Sequence, residues 1–196
     1  ALEATMITNV YLVVCPRQTT QRKVPAFDLV RSIPTSITRL CLPPNVAGLH
    51  CASTIAELPG RRISSIICDA RMSSPADEQV KGFSKLDRYT TYVEHSRQAG
   101  QEPLSLISYL RKHYSIWYEK ILDQKRNDLS LLLIRERTQV LNAVLVCQNP
   151  LSELFAFLLC GVVVQRPKAW QVMRLHRDGP SGLFTLQNAG MTPSKP

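Results

Sequence analysis

The sequence predicts a β-rich α+β fold, on three observations. Short β-branched or apolar runs recur and stop at turn-forming residues. A single segment, 104–120, carries a clear helical stripe. No internal repeat is visible, so short strands around one exposed helix fit better than a bundle.

Residues 10–15 (VYLVVC) read as a buried strand that ends at Pro16, and the polar RQTTQRK after it reads as a loop. Residues 26–33 (AFDLVRSI) place Phe27, Val30 and Ile33 near helical spacing, with Pro34 as the stop. Pro43 and Pro44 break the chain, and a boundary between a first lobe and the rest is placed near there. Residues 62–68 (RISSIIC) follow the Pro59-Gly60 turn and read as a strand. The polar stretch 73–103 is expected to hold surface insertions around a short strand at 89–93.

In the segment 104–120 (LSLISYLRKHYSIWYEK), Leu106, Tyr109, Leu110, His113 and Trp117 share one helical stripe, with Arg111 and Lys112 facing elsewhere. Residues 129–135 (LSLLLIR) and 141–147 (LNAVLVC) read as core strands joined through the charged RERTQ. The run 154–164 (LFAFLLCGVVV) is too short for the roughly 20 residues that cross a bilayer and reads as a buried strand, or a short helix running into one. Residues 171–177 are short and mixed, and 178–196, rich in Gly, Pro, Ser and Thr, read as a linker or tail. The opening at Ala1, without an initiator methionine, is read as a processed chain or a piece of a longer one.

Lysine and arginine number 24 against 15 acidic residues, a net charge of +9 that favours a polyanionic partner, with nucleic acid the first candidate. A basic protein kept soluble by its charge, or a subunit of an RNA-containing assembly, fits the same composition. Cys15, Cys41, Cys51, Cys68, Cys147 and Cys160 form no C-x-x-C pair, which argues against structural zinc and for reduced, buried thiols in an intracellular compartment. No phosphate-binding glycine loop, nucleophile elbow or paired-histidine metal helix is present, so the segment is expected to be non-catalytic, without metal or cofactor. Asp123-Gln124-Lys125 has the spacing of a nuclease D-x-K element, although the run DQKRND also fits a solvated turn.

The residues 107–116 (ISYLRKHYSI) followed by 129–135 resemble the helix and next strand of PAZ domains. Tyr109 falls on the first tyrosine of their double-tyrosine element and Tyr114 on the later one, with Leu110 where the second usually stands. Residues 60–75 are similar to the opening strand of the PAZ domain of Dicer-type ribonucleases, 145–152 to its closing segment, 167–174 to the exit from it, and 11–33 to the platform that precedes it. In the closing strand, Val144-Leu145-Val146 stands where a proline-glutamate-leucine element is customary.

The resemblance implies a small OB-like β-barrel with a helix-bearing insertion over residues 49–178, a small α/β platform-like lobe over 1–48, and a tail over 179–196. It implies an RNA-binding segment that takes the end of double-stranded RNA, a 3′ overhang and a 5′ phosphate, for a nuclease elsewhere in a larger ribonuclease chain, in small-RNA processing. The RNA-binding residues are then Tyr109, Arg111, Lys112, His113, Tyr114 and Tyr118 on the helix and Arg135 and Arg137 at a strand end. An aromatic stripe at helical spacing also fits a packed core, and Trp117 is assigned to the core. The alternatives are a basic structural subunit of a ribonucleoprotein or organellar complex, and an Argonaute or Piwi PAZ domain holding a guide 3′ end.

Overall fold

The structure, a computed structural model, describes residues 6–16, 24, 26–73, 85–135 and 139–187. Six strands form one mixed sheet: β1 (Ile7–Val14), β2 (Ser36–Leu42), β3 (Arg62–Cys68), β4 (Val140–Cys147), β5 (Val172–Asp178) and β6 (Thr185–Leu186), in the order β3-β2-β4-β1-β5-β6. The first four are mutually parallel, and β5 and β6 close the far edge by antiparallel pairing. The helices are α1 (Ala26–Ser32), α2 (Val46–Ala56), α3 (Lys85–Gln98), α4 (Leu106–His113), α5 (Ser115–Leu132) and α6 (Leu151–Cys160).

Both faces of the sheet are covered, so its central strands are apolar on both sides instead of alternating. On one face Val13, Leu40, Leu42, Val144 and Val146 pack with Leu29 of α1 and Cys51 and Ile55 of α2. On the other, Val10, Leu12, Leu145 and Met173 pack with Tyr109 and Leu110 of α4, Ile121 and Leu129 of α5, and Leu154 and Phe155 of α6. The centre of the sheet is pinned in register by amides. Asn9 Nδ2 donates to Asn142 Oδ1 at 2.9 Å, directly across from it, and His176 Nδ1 meets Asn9 Oδ1 at 2.7 Å. A one-residue slip would turn these groups into the opposite core.

The expected OB-like barrel behind a platform lobe is therefore corrected to an open α/β sheet sandwiched by helices. That sheet takes β1 and β2 from before residue 48 and β3 to β5 from after it. The strands expected at 10–15, 62–68 and 141–147 and the helix at 26–33 are present to within a residue or a few. Two expected strands are helical: 89–93 lies inside α3, and 129–135 begins as the last turn of α5. The single helix expected over 104–120 is two, broken at Tyr114, which takes the non-helical φ of −142° and ψ of 47°. Residues 171–177 fall largely on β5, an antiparallel strand beside the short edge strand β6, and the run from Leu151 is α6, stopped by Gly161 at φ 71°, a conformation that costs glycine little.

Lys125 is among the most buried side chains, only 1 % exposed. Its ammonium donates to the carbonyls of Arg71 at 3.0 Å and Ser73 at 2.8 Å and lies 3.3 Å from the Asp128 carboxylate. It ties α5 to the 3₁₀ turn Ala70–Met72 beyond β3, so the D-x-K spacing serves packing. Removing a buried cation strands its partners. Lys125→Met is expected to lower stability by about 3 kcal/mol or more, measured by urea denaturation.

Candidate active site at the carboxyl ends of β1 and β4

In an open α/β sheet ligands bind beyond the carboxyl ends of the strands, where neighbouring strands send their connections to opposite faces. Here those strands are β1, which leaves toward α1 and α2, and β4, which leaves into α6 on the other face. The two strand ends are joined by the Cys15 amide, which donates to the Cys147 carbonyl at 2.9 Å. Trp170, just before β5, donates its amide to the Val14 carbonyl at 2.7 Å and holds a left-handed φ of 66°. For a bulky residue that conformation costs about 1–2 kcal/mol, and this strained position sits at the carboxyl end of β1.

The β4 exit is built of polar side chains under tight control. Asn149 Nδ2 donates to the Pro167 carbonyl at 2.6 Å, and the Ser152 hydroxyl, fully buried, donates to Asn149 Oδ1. One residue on, Glu153 is buried in the first turn of α6, and its Oε2 has no hydrogen-bond partner among the described residues. Burial pushes its carboxyl up to about 8, against the opposing pull of Arg166 and then Arg97. Burial thus favours the protonated acid, the form that can donate. Arg166, half-buried, donates to the Thr90 hydroxyl at 2.8 Å and lies 5.9 Å from the centre of the Tyr89 ring, while Arg97 is exposed. Exposure thus falls from Arg97 through Arg166 to Glu153.

On the other wall, the thiols of Cys15 and Cys51 are hydrogen-bonded, which lowers the Cys15 thiol and raises that of Cys51, where burial adds in the same direction. Burial also raises the neighbouring Cys147 thiol. Among the described residues no group of three or more His, Cys, Asp or Glu side chains is arranged to hold a metal ion. The imidazole on this side, His50 of α2, is exposed and meets the edge of Trp170 at 6.4 Å.

The residues expected to bind RNA lie elsewhere. Tyr109 and Tyr118 are 8 % and 3 % exposed and belong to the core. Tyr109 stacks on Tyr92 at 4.8 Å and touches Tyr89, His113 and Tyr114, an interior ring cluster and not an open platform. Tyr114 is half-buried against Trp117 and accepts from Arg88 at 3.4 Å. Arg111, Lys112 and His113 are exposed on the last turn of α4, where cations favour the helix dipole, and Arg111 lies over the Tyr118 ring. Arg135 is a half-buried clamp that donates to the carbonyls of Ile7 and Gln139 and to Thr8 Oγ1. Arg137 lies outside the described residues, as does the early basic loop with Arg17, Arg22 and Lys23. Glu153 went unnoticed in the sequence, although a lone acid inside the apolar run PLSELFAFLLC was the signal for it.

No protein-family model matches the chain, and no curated protein matches it. Among solved structures it is similar to the phosphoglycerate mutase of Bacillus anthracis str. Sterne, at 13 % identity and a TM-score of 0.51, over 96 % of this chain and 95 % of that one. It is also similar to a phosphoglycerate mutase from Plasmodium falciparum, at 12 % identity and a TM-score of 0.42, over 97 % and 95 % of the two chains. The Bacillus likeness establishes the fold and overturns the PAZ and Dicer resemblance. With the barrel gone and the tyrosines buried, the role in holding double-stranded RNA ends for a larger ribonuclease is withdrawn, and the RNA partner with it. The expectation of a non-catalytic segment falls too, since the fold is one that an enzyme uses. No helix among the described residues is long and apolar enough to cross a membrane.

A buried acid with a raised pKa keeps its proton in the folded state across a window where the unfolded chain has lost it. Stability from this group is full below the ordinary 4.5 and declines as pH rises to about 8. Glu153→Gln removes the titration, so the fall in melting temperature between pH 5 and pH 8 is expected to be shallower than in the unchanged protein, measured by scanning calorimetry.

Proposed function

We propose that this chain acts on a small phosphorylated metabolite in the crevice between β1 and β4. The observation that carries the reading is Glu153, a buried carboxylic acid in the first turn of the helix that leaves β4, whose proton burial favours against the opposing charges of Arg166 and Arg97. Arg97 and Arg166 are suited to the charges of a phosphate and a second anionic group, because a guanidinium offers a planar pair of donors to either. Glu153 is suited to give its proton to the bridging oxygen of a phosphate ester as the phosphorus–oxygen bond breaks, with water taking the phosphoryl group.

The substrate class is drawn from the fold: the solved mutase that shares it is named for phosphoglycerate, a three-carbon acid that carries both a carboxylate and a phosphate. The six free cysteines support a reducing, intracellular setting.

Calorimetric titration with 2- and 3-phosphoglycerate, followed by assays of phosphate release and of interconversion of the two, tests the reading. Binding of at least one is expected, weakened tenfold or more by Arg166→Gln. Glu153→Gln is expected to retain binding and to lower turnover by about 10²–10⁴-fold, the range of a general acid. Failure of both ligands to bind at millimolar concentration would overturn the proposal.

A further inference from the structure

At the opposite end of the sheet lies a hollow of about 510 Å³, within the range of small-molecule sites. It opens beside the amino end of β1, roughly 20 Å of strand rise from the crevice. Its floor is apolar, made by Leu129 and Leu133 at the end of α5, Leu158 and Leu159 of α6, and Phe184 before β6. Among the described residues its charged lining is of one sign: Arg126, Arg135 and Arg177.

Two described acids close in sequence to these arginines are turned away from the hollow. Asp123 pairs with Arg126 on the exposed side of α5 at 3.3 Å. Asp178 follows Arg177, but alternation along β5 turns it to the other face of the sheet, where it meets His176 at 3.1 Å. Arg177 itself is poorly satisfied. Among the described residues it makes one long bond, at 3.3 Å, to the Gly182 carbonyl and lies 4.5 Å from the centre of the Phe184 ring, while its buried Nε has no hydrogen-bond partner among them. Burial, and then the charge of Arg135, hold the guanidinium below its usual range. An anion at this point would supply an acceptor and relieve the repulsion between the two arginines.

We propose that this hollow is a second ligand site, taking an organic anion whose carboxylate or phosphate head meets Arg177 while its apolar body lies on the leucine floor. The two features select together. Inorganic phosphate lacks the body, and an uncharged alcohol lacks the head. The site is independent of the crevice in chemistry and in place, so a ligand here would act as an effector or a cargo and not as the substrate.

The test uses decanoate and decyl phosphate as probes, with decanol and inorganic phosphate as controls, followed by calorimetry on the whole chain. One or both amphiphilic anions are expected to bind at least tenfold more tightly than either control. Arg177→Gln is expected to weaken that binding tenfold or more. Leu183 lines the hollow and is 68 % exposed, so Leu183→Asp places a carboxylate at the mouth with little risk to folding and is expected to weaken it as well. Arg166→Gln should leave it unchanged, which separates this site from the phosphoglycerate reading. The proposal is overturned if neither anion binds at millimolar concentration, if decanol binds equally well, or if Leu183→Asp retains full affinity. Should Arg177→Gln fail to fold, Leu183→Asp decides.

Discussion

Parallel pairing between β1 and β4 runs from Ile7 opposite Val140 to Val14 opposite Cys147, joining segments more than a hundred residues apart. Both strands are buried on both faces, and neither has water as an alternative partner for its backbone. Because β1 sends its chain to one face and β4 to the other, this pair divides the helices into two layers. The same division places the candidate site at the carboxyl ends. At the amino ends, Arg135 holds the pair closed by donating to the Ile7 carbonyl, the Thr8 hydroxyl and the Gln139 carbonyl, and the leucine-floored hollow opens beside it.

The strands of this sheet were legible one by one, because β-branched runs such as VYLVV and AVLVC have few other uses. Their order was not. A sheet order of β3-β2-β4-β1-β5-β6 depends on which apolar faces meet across the whole chain, and no local pattern encodes that. Segments of ambiguous period went to the wrong class. LSLLLIR is an apolar run that strand and helix accept equally, and it became a helix end because α5 lays Leu129 and Leu132 on the sheet. Residues 89–93, YTTYV, have strand propensity, yet Tyr89 and Val93 are four apart and both enter the core from one face of α3. An order of strand, helix and strand is common to a barrel and to an open α/β sheet, so that order alone does not separate the two folds.

The candidate site was hidden for a different reason. Its acid is ordinary in composition and unusual only in surroundings: Glu153 matters because α6 buries it and because Arg166, thirteen residues later, returns beside it. The tyrosines show the converse. Tyr89, Tyr92, Tyr109 and Tyr114 form a ring cluster in which several hydroxyls are engaged by the protein: Tyr89 donates to the Leu104 carbonyl at 3.0 Å, Tyr92 accepts from the Leu104 amide at 2.9 Å, and Tyr114 accepts from Arg88 at 3.4 Å. A phenol that leaves water needs a partner, and at Tyr114 the guanidinium of Arg88 provides one from within the chain.

The charge surplus can be followed in the same way. Several cations that counted toward a polyanionic partner are directed at the protein's own carbonyls. Arg39 reaches the Leu132 carbonyl at the end of α5, and Arg61 reaches those of Val30 and Ile33 at the end of α1, where helix carbonyls lack amide partners. Lys125 satisfies Arg71 and Ser73, and Arg135 satisfies Ile7 and Gln139. A guanidinium used as a cap still contributes its full charge to the composition, although its donors are committed to the fold. What distinguishes a binding cation is therefore an imperfectly satisfied position beside an apolar or acidic recess. Arg177 meets that condition above the leucine floor: the Nε atoms of Arg61 and Arg135 also lack a hydrogen-bond partner among the described residues, but their terminal nitrogens are committed to carbonyls, whereas Arg177 makes a single long bond to the Gly182 carbonyl among those residues.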